Sequence, residues 1–272
     1  MFKYLIQMIP PIFVAIAVTM IGYFSRVIYE KYRDNYKFRY ITNIFGSNKM
    51  LLENSVAVLP VFESLSKDEF SEGEHSHLRK RRIKMHDASE VYLSDIPMYS
   101  DVFVYDDYAA LKKINDELSH HKYPTLSFID DISSLQVWDR DLLLCIGGPR
   151  SNQKTKQVML KFVTDYMEIY DDGEYLSDWT MKIKESNVTY ASTTVTAYSY
   201  IIKISHPDRP KNKIIILAGD SSRSTLMSAI FISKNAKDIS GLYGIGDFII
   251  ALEADRSSLD SARILYKRSV GL

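Results

Sequence analysis

The sequence predicts an α/β protein in two parts, an N-terminal membrane helix and a larger head. Residues Tyr4 to Ser25 form an uncharged, mostly apolar run between Lys3 and Arg26. Further along, two short apolar strands each run into glycine and then into a helix, roughly 70 residues apart. The stretch between these units alternates polar and apolar residues, which is typical of antiparallel strands. We therefore expect a Rossmann-like open sheet with some antiparallel strands.

The apolar run is long enough to cross a membrane once. At about 1.5 Å per residue it spans the roughly 30 Å hydrocarbon core as one helix. A cleavable signal peptide and a buried core helix are the alternatives, but a signal peptide carries only about 7–15 apolar residues before its cleavage site. Basic residues follow the run, whereas only Lys3 precedes it: Arg26, Lys31, Arg33, Lys37 and Arg39. The positive-inside rule therefore predicts a single-pass protein of the inner (plasma) membrane, N-terminus outside and head cytoplasmic.

Composition limits the classes of function. The 272 residues include 34 basic and 34 acidic side chains, so the formal net charge is zero and no global field attracts nucleic acid. A single cysteine, Cys145, excludes an internal disulfide and a cysteine-based zinc site, and it fits a reducing compartment. His75 and His77 lack an obvious third ligand, so we expect neither a metal nor a cofactor.

We divide the chain into three parts. Residues 1–29 contain the membrane helix, residues 30–53 form a helical juxtamembrane stalk, and residues 54–272 form the α/β sensor domain. Within the head, Val56 to Phe62 reads as a strand whose Pro60 suggests a sheet edge. Ser64 to Ser89 is polar and reads as a loop, and Asp106 to His121 has the apolar spacing of a helix.

From Asp141 onwards, strands and helices alternate. The segment DLLLCIGG predicts a buried strand, and a helix is expected from Gln153 to Tyr166. Trp179 to His206 predicts antiparallel strands or a hairpin. A second buried strand, Lys213 to Gly219, precedes a helix over Ser224 to Ser233, and a late strand closes the sheet near Ala254.

The first glycine turn is the strongest candidate for a binding site. It has the sequence Gly147-Gly148-Pro149-Arg150-Ser151-Asn152, with Lys154 and Thr155 in the first turn of the helix. Glycine lets a backbone approach a phosphate, and a helix start offers free N–H groups and a partial positive charge. The basic side chains add charge, and Ser151, Asn152 and Thr155 add hydrogen bonds. The alternative is a plain strand-to-helix turn that Asn152 caps.

The second turn, Gly219 to Thr225, repeats this pattern. Ser221, Arg223 and Thr225 are its candidate ligand contacts. Because the carboxyl ends of parallel strands meet at one edge of a sheet, we expect the two turns to lie together there. Arg150 and Arg223 would then converge on an anionic group, which indicates a nucleotide or a single-stranded oligonucleotide.

A basic run precedes the sheet units. Clustered lysines and arginines can neutralise consecutive phosphates, which makes the run a candidate polyanion patch. A solvated loop and contact with anionic lipid are the alternatives. The run consists of Arg79, Lys80, Arg81, Arg82 and Lys84.

Signatures of known catalytic sites are absent from the sequence. It contains no HExxH and no GxSxG, and Cys145 within an apolar strand reads as a small core residue. The head therefore reads as a sensor more than an enzyme. A membrane-tethered nucleotide hydrolase or glycosidase using the same cleft is the alternative, and a scaffold protein with two plain helix caps is a third.

Around the two turns, the sequence resembles STALD domains, Rossmann-like domains of nucleotide-linked bacterial antiphage systems that occur with TIR or sirtuin effectors. The segments that carry the resemblance are Leu142 to Thr155 and Ile214 to Ala229. Ser224 stands where the family pattern has a glycine before threonine. With an N-terminal membrane helix, the arrangement resembles membrane effectors of Hailong defence systems.

The resemblance implies an antiviral defence effector linked to a nucleotidyltransferase, whose head binds a nucleotide or DNA signal and gates an ion channel. One helix cannot enclose a pore, so copies must assemble in the bilayer. We expect a homo-oligomer, a tetramer or another even-numbered assembly.

Overall fold

The computed structural model describes residues 19–29, 39–46, 54–62, 82–84, 90–92, 102–171 and 179–270. The helices are α1 (residues 19–29), α2 (Arg39–Phe45), α3 (Tyr105–His120), α4 (Gln153–Phe162) and α5 (Ser222–Tyr243). The first strands are β1 (Ser55–Leu59), β2 (Val61–Phe62), β3 (Arg82–Lys84), β4 (Glu90–Tyr92), β5 (Val102–Phe103), β6 (Ser127–Asp130) and β7 (Leu142–Ile146). The later strands are β8 (Met167–Asp171), β9 (Trp179–Ile183), β10 (Val188–Ala191), β11 (Thr196–His206), β12 (Arg209–Gly219), β13 (Asp247–Asp255) and β14 (Ser258–Val270).

A seven-stranded mixed sheet forms the centre of the head, in the order β14-β13-β11-β12-β7-β1-β6. The strands β12, β7, β1 and β6 are parallel, and β11, β13 and β14 continue the sheet as antiparallel neighbours. A separate three-stranded antiparallel sheet has the order β10-β9-β8. The predicted α/β class with some antiparallel strands is confirmed.

Both faces of the large sheet are covered, which explains why its inner strands are continuously apolar. In β7, Leu142, Leu144 and Ile146 belong to a core cluster with α2, α3 and α5. Leu143 and Cys145 point the other way, into a cluster with α4 and the three-stranded sheet. Side chains alternate across a strand, so each strand contributes to both cores.

Part of the predicted stalk packs into the head. Within residues 30–53, α2 buries Ile41, Ile44 and Phe45, each at most 1% exposed, in the cluster that α5 also lines. Such burial of three large apolar side chains stabilises the docked helix by several kcal/mol, at about 1.5–3 kcal/mol for each side chain. The rest of the predicted stalk lies outside the described residues.

Several predicted boundaries and one position in the sheet are wrong. The strand β1 is not at an edge, because it pairs with β6 on one side and β7 on the other, and it ends before Pro60. The helix α4 ends at Phe162, whereas α5 continues ten residues past Ser233 to Tyr243. The late strand β13 does not close the sheet, because β14 pairs along its outer side.

The predicted membrane span falls mostly outside the described residues. Of Tyr4 to Ser25, only residues from 19 onwards are described, and these belong to α1. Within the described ranges, no helix is both long and apolar enough to cross a membrane. The exposed side chains of α1 include Ile21, Tyr23 and Phe24.

Candidate functional site

The two glycine turns lie side by side at the carboxyl edge of the parallel strands, as predicted. The strands β7 and β12 are parallel neighbours, with Ile146 opposite Leu217. The Gly147 N–H donates to the Leu217 carbonyl at 3.0 Å. The connection therefore brings the Gly147–Gly148 and Gly219 backbones together.

The two glycines of the first turn have different structural requirements. Gly147 has a φ of +101°, a conformation that residues with a side chain rarely adopt. Gly148 has no such restriction, and a Cβ placed on it would meet nothing closer than the Gly219 carbonyl at 3.5 Å. The fold explains the glycine at position 147 but leaves the glycine at position 148 unexplained.

Asn152 and Thr155 use their side chains within the fold. Asn152 is fully buried, and its Oδ1 accepts the Thr155 N–H at 2.9 Å, which makes it the N-cap of α4. Its Nδ2 donates to the carbonyls of Val58 at 3.1 Å and Ile146 at 2.8 Å. The Thr155 hydroxyl donates to the Gly147 carbonyl at 2.9 Å. The capping alternative is therefore realised at Asn152.

A carboxylate lies where the sequence predicted a bound anion. Asp131 follows β6 and is 4% exposed, and its Oδ2 accepts the Gln153 N–H at the start of α4 at 2.7 Å. Negative charge at a helix start is stabilised by the unsatisfied N–H groups and the helix dipole. The sequence shows Asp130 and Asp131 as a pair but gives no sign that one of them reaches α4.

Lys154 does not contribute charge to this edge, contrary to the prediction. It is fully buried, and its Nζ lies 3.4 Å from the centroid of the Trp138 ring. The ammonium also donates to the Leu135 carbonyl at 3.2 Å and to Gln157 Oε1 at 3.0 Å. Burial lowers the pKa of Lys154 to about 8. Arg150 is the basic residue of the turn that remains half-buried.

The second turn is built around Asp220. The carboxylate, with no exposed surface, forms a two-pronged pair with Arg256, in which Nη2 donates to Oδ2 at 2.5 Å and Nη1 to Oδ1 at 3.3 Å. Arg256 also donates through Nε to the Thr193 carbonyl at 2.6 Å, and the Ser192 hydroxyl donates to Asp220 at 2.6 Å. Arg256 follows β13, 36 residues beyond Asp220. No local sequence pattern reveals this pair.

The predicted ligand contacts of the second turn serve mainly as helix caps. Ser221 Oγ accepts the Ser224 N–H at 3.2 Å and donates to Asp220 Oδ1 at 3.1 Å. Thr225 is 1% exposed and its hydroxyl donates to the Ser221 carbonyl at 3.2 Å. Arg223 is exposed to solvent.

Gly219 is required by close packing. A Cβ on this residue would lie 2.5 Å from Ser224 Cβ and 2.8 Å from the Tyr198 carbonyl, which are separations that real side chains do not reach. The missing side chain lets the start of α5 approach β11. In contrast to Gly148, the fold fully explains this glycine.

A groove of about 580 Å³ extends from the first turn along the outer side of α4 towards β8; we call it the α4–β8 groove. Its volume falls within the range of about 300–1,000 Å³ typical of small-molecule sites. The groove is lined by Pro149, Arg150, Gln153, Lys156, Met159, Leu160, Thr164, Met167, Glu168, Ile169 and Tyr170. The sequence did not predict it, because α4 was expected to extend through the residues that turn into β8.

Only part of the candidate polyanion patch is described. Arg82 to Lys84 form β3, which pairs with β4 as an antiparallel ladder, whereas Arg79, Lys80 and Arg81 lie outside the described residues. The strands β2 and β5 pair just after β1 and just before α3. The chain that carries the basic run therefore leaves and rejoins the head next to the carboxyl end of β1.

Cys145 is a core residue, as predicted: it is fully buried in β7, and burial raises the pKa of its thiol to about 12. In the described part of the chain, no three His, Cys, Asp or Glu side chains are grouped in a way that could hold a metal ion.

Neither a scan against models of protein families nor a search among curated proteins found a match to this chain. A functional assignment therefore depends on the two turns, the groove beside them and the helix that joins the head to the N-terminal segment.

Proposed function

We propose that the chain is a single-pass membrane effector whose Rossmann-like cytoplasmic head binds a nucleotide or a single-stranded oligonucleotide. The ligand binds at the first glycine turn, and binding changes the arrangement of the N-terminal helices in a homo-oligomer so that a pore in the bilayer opens or closes. The resemblance to defence effectors supports this reading, and a partner nucleotidyltransferase would supply the signal.

The observation that carries the proposal is the unexplained glycine at position 148. Gly147 and Gly219 have reasons within the fold, but a methyl group at position 148 would fit without a clash. A glycine that the fold does not require is expected where another backbone or a phosphate approaches closely. Arg150 lies two residues further on and lines the α4–β8 groove, so it can pair with a phosphate bound there.

Asp131 decides where the anion binds. A phosphate placed directly at the start of α4 would displace this carboxylate from the Gln153 N–H. Displacement would leave a buried carboxylate without that donor, at a cost of about 1–3 kcal/mol or more. We therefore place the anion beside Asp131, on Gly148 and Arg150, rather than on Asn152 and Thr155. Ser151 is also set aside, because its N–H and its hydroxyl both donate to the Gly148 carbonyl, at 3.0 and 3.2 Å.

The helix α2 offers a route from the head to the membrane segment. It packs against α5, whose first turn belongs to the second glycine turn. Hydrogen bonds also hold α2 to the head: Tyr40 hydroxyl with His121 Nε2 (2.9 Å), Thr42 with Tyr123 (2.6 Å), Asn43 Nδ2 to Ser240 Oγ (2.8 Å) and Lys203 Nζ to the Asn43 carbonyl (2.5 Å). A ligand can shift such a docked element only by binding its two states with different affinities.

Thermal denaturation of the full chain tests the binding site. We expect ATP, a cyclic dinucleotide or a short single-stranded DNA to raise the midpoint for the wild type, because a ligand that binds only the folded state stabilises it. The Gly148→Ala variant should keep its own midpoint and lose this shift, and Arg150→Ala should lose it too. Gly241→Ala is the matched control, since a Cβ there meets nothing within 4 Å.

Two outcomes contradict the proposal. A shift that survives in both variants means that the ligand binds elsewhere, and conversion of the nucleotide to product supports the hydrolase or glycosidase alternative. Gating is measured separately, as ion release from liposomes that contain the full chain. If the ligand binds but does not change ion release, the proposed channel function is contradicted and the proposed ligand binding by the head is not.

A further inference from the structure

The α4–β8 groove continues from the first turn and has two chemically different parts. The basic side chains Arg150 and Lys156 line the end near the turn, and the remainder includes Met159, Leu160 and Ile169. Leu160, a large apolar residue in the last turn of α4, is 64% exposed. The groove therefore has the amphipathic character of a site for an organic anion.

The groove also contains an aromatic side chain. Tyr170 of β8 lines it together with Arg150 and Lys156. Tyr170 is 49% exposed, which leaves much of its ring accessible.

The acidic residue in the groove is engaged with other groups. Glu168 accepts a hydrogen bond from the Tyr170 hydroxyl at 2.8 Å and pairs with Lys184 at 2.7 Å. The bond to Glu168 also fixes the Tyr170 ring by its hydroxyl. The charge of Glu168 is thus balanced locally, and Arg150 and Lys156 determine the charge preference of the groove.

We propose that the α4–β8 groove binds the bases of a nucleotide-type ligand whose phosphate lies on Gly148 and Arg150. The inference rests on the proposed function and adds where the rest of the ligand binds. A base would stack on Tyr170 and contact the apolar wall at Leu160, while Lys156 would take a further phosphate. Strand β8 pairs only with β9 among the described residues, so an acidic peptide added to its edge is the competing occupant. Continuity with the glycine turn and the basic end favours the nucleotide.

Binding to pairs of probes with equal phosphate chains tests the groove in the full chain. The pairs are ATP with inorganic tripolyphosphate, and a thymidylate tetramer with an abasic tetramer. Because base stacking is worth a factor of about ten in affinity, the wild type should bind at least one base-bearing probe about tenfold more tightly than its base-free counterpart. Leu160→Asn, which adds no charge beside Lys156, and Tyr170→Ala should lose this preference and keep their affinity for the base-free probe.

Matched controls are exposed residues of the same type elsewhere: Leu242, 57% exposed, changed to Asn, and Tyr108, 47% exposed, changed to Ala. Both controls should retain the preference. Equal wild-type affinity for both members of each pair overturns the groove assignment and leaves the anion site standing. A wild type that binds no probe removes the proposed function as well. An acidic peptide whose binding Leu160→Asn abolishes, while ATP binding is unchanged, assigns the groove to a peptide instead.

Discussion

The two glycine turns have the same order of residue types in the sequence but different structures around them. In the second turn, the buried Asp220 carboxylate is closed by Arg256, and Gly219 has no room for a side chain. In the first turn, Gly148 has room for a methyl group, and Arg150 faces the α4–β8 groove. The second turn is a structural clamp, and the first is the turn at which we propose that a ligand binds.

The difference arises from residues far along the chain. Arg256 and Ser192 reach the second turn from other elements, and their hydrogen bonds occupy the polar groups that a ligand would need. At the first turn, Asp131 accepts the backbone N–H of Gln153. The order of strand, glycine, hydroxyl residue and helix therefore does not show by itself whether a turn binds a ligand or has only a structural role.

Breaking the clamp should have the largest effect. Arg256→Ala leaves the buried Asp220 carboxylate without its counter-ion, and loss of one partner of a buried pair costs about 3–5 kcal/mol. We expect a decrease of that size in the free energy of unfolding, measured by urea denaturation. Arg223→Ala removes an exposed arginine from the same turn and should change stability by no more than about 0.5 kcal/mol. A loss below about 1 kcal/mol for Arg256→Ala would mean that the clamp is not structural.

Adding one methyl group to the glycine of either turn should change the free energy of unfolding by different amounts. Gly219→Ala places a Cβ against Ser224 and the Tyr198 carbonyl, and overpacking of this kind costs about 1–3 kcal/mol. Gly148→Ala meets no such contact, so the free energy of unfolding should stay unchanged or rise by up to about 1 kcal/mol. The same urea titration measures both. Equal losses in the two variants would contradict the assignment of different roles.

Removing the two helix caps should lower the free energy of unfolding by smaller and different amounts. Ser221→Ala removes one cap bond at the start of α5, for which a loss of about 1 kcal/mol is typical. Asn152→Ala should cost more, about 2 kcal/mol or above, because the buried carbonyls of Val58 and Ile146 also lose their donor. Asn152→Ser keeps a neutral cap acceptor and loses those donors, so it isolates the second contribution. A larger loss for Ser221→Ala would reverse the comparison.

Much of the fold follows from apolar patterns. The sequence predicts β7 and the central part of β12 as buried strands. Both faces of these strands are covered, and their residues are therefore continuously apolar. The prediction fails where the role of a residue depends on contacts with distant parts of the chain. Pro60 suggested an edge strand, yet it follows β1 and interrupts no sheet bond. The strand β14 lies at the sheet edge and buries only Val270 among its 13 residues, so it lacks the continuous apolar pattern that reveals a buried strand.

The helix lengths and the site show the same limit. Polar residues after Ser233 suggested that α5 ends there, although Ala236 and Ile239 continue its buried stripe. At the site, the sequence places the two turns correctly but assigns them equal roles. Their difference depends on Arg256 and Asp131, whose positions are set by the pairing of strands and not by neighbouring residues.

A pH dependence of stability should originate in the helix of the first turn. The pKa of Lys154 is lowered by burial from its ordinary 10.5 to about 8, so the unfolded chain binds more protons than the folded chain between these values. The free energy of unfolding should therefore rise with pH from about 8 to 10.5, by at most about 1.4 kcal/mol per pH unit for this residue.

Lys203, whose pKa burial also lowers to about 8, contributes a similar slope. The Cys145 thiol, whose pKa burial raises from 9.0 to about 12, contributes a slope of opposite sign above about pH 9. Lys154→Met should remove the contribution of Lys154 and leave that of Lys203, which urea titrations at pH 7.5, 8.5 and 9.5 measure. Lys156→Met, at an exposed position of the same helix, should leave the slope unchanged. A slope that is the same in Lys154→Met and in the wild type would mean that the ammonium of Lys154 reaches solvent. It would then be available to the anion at the first turn after all.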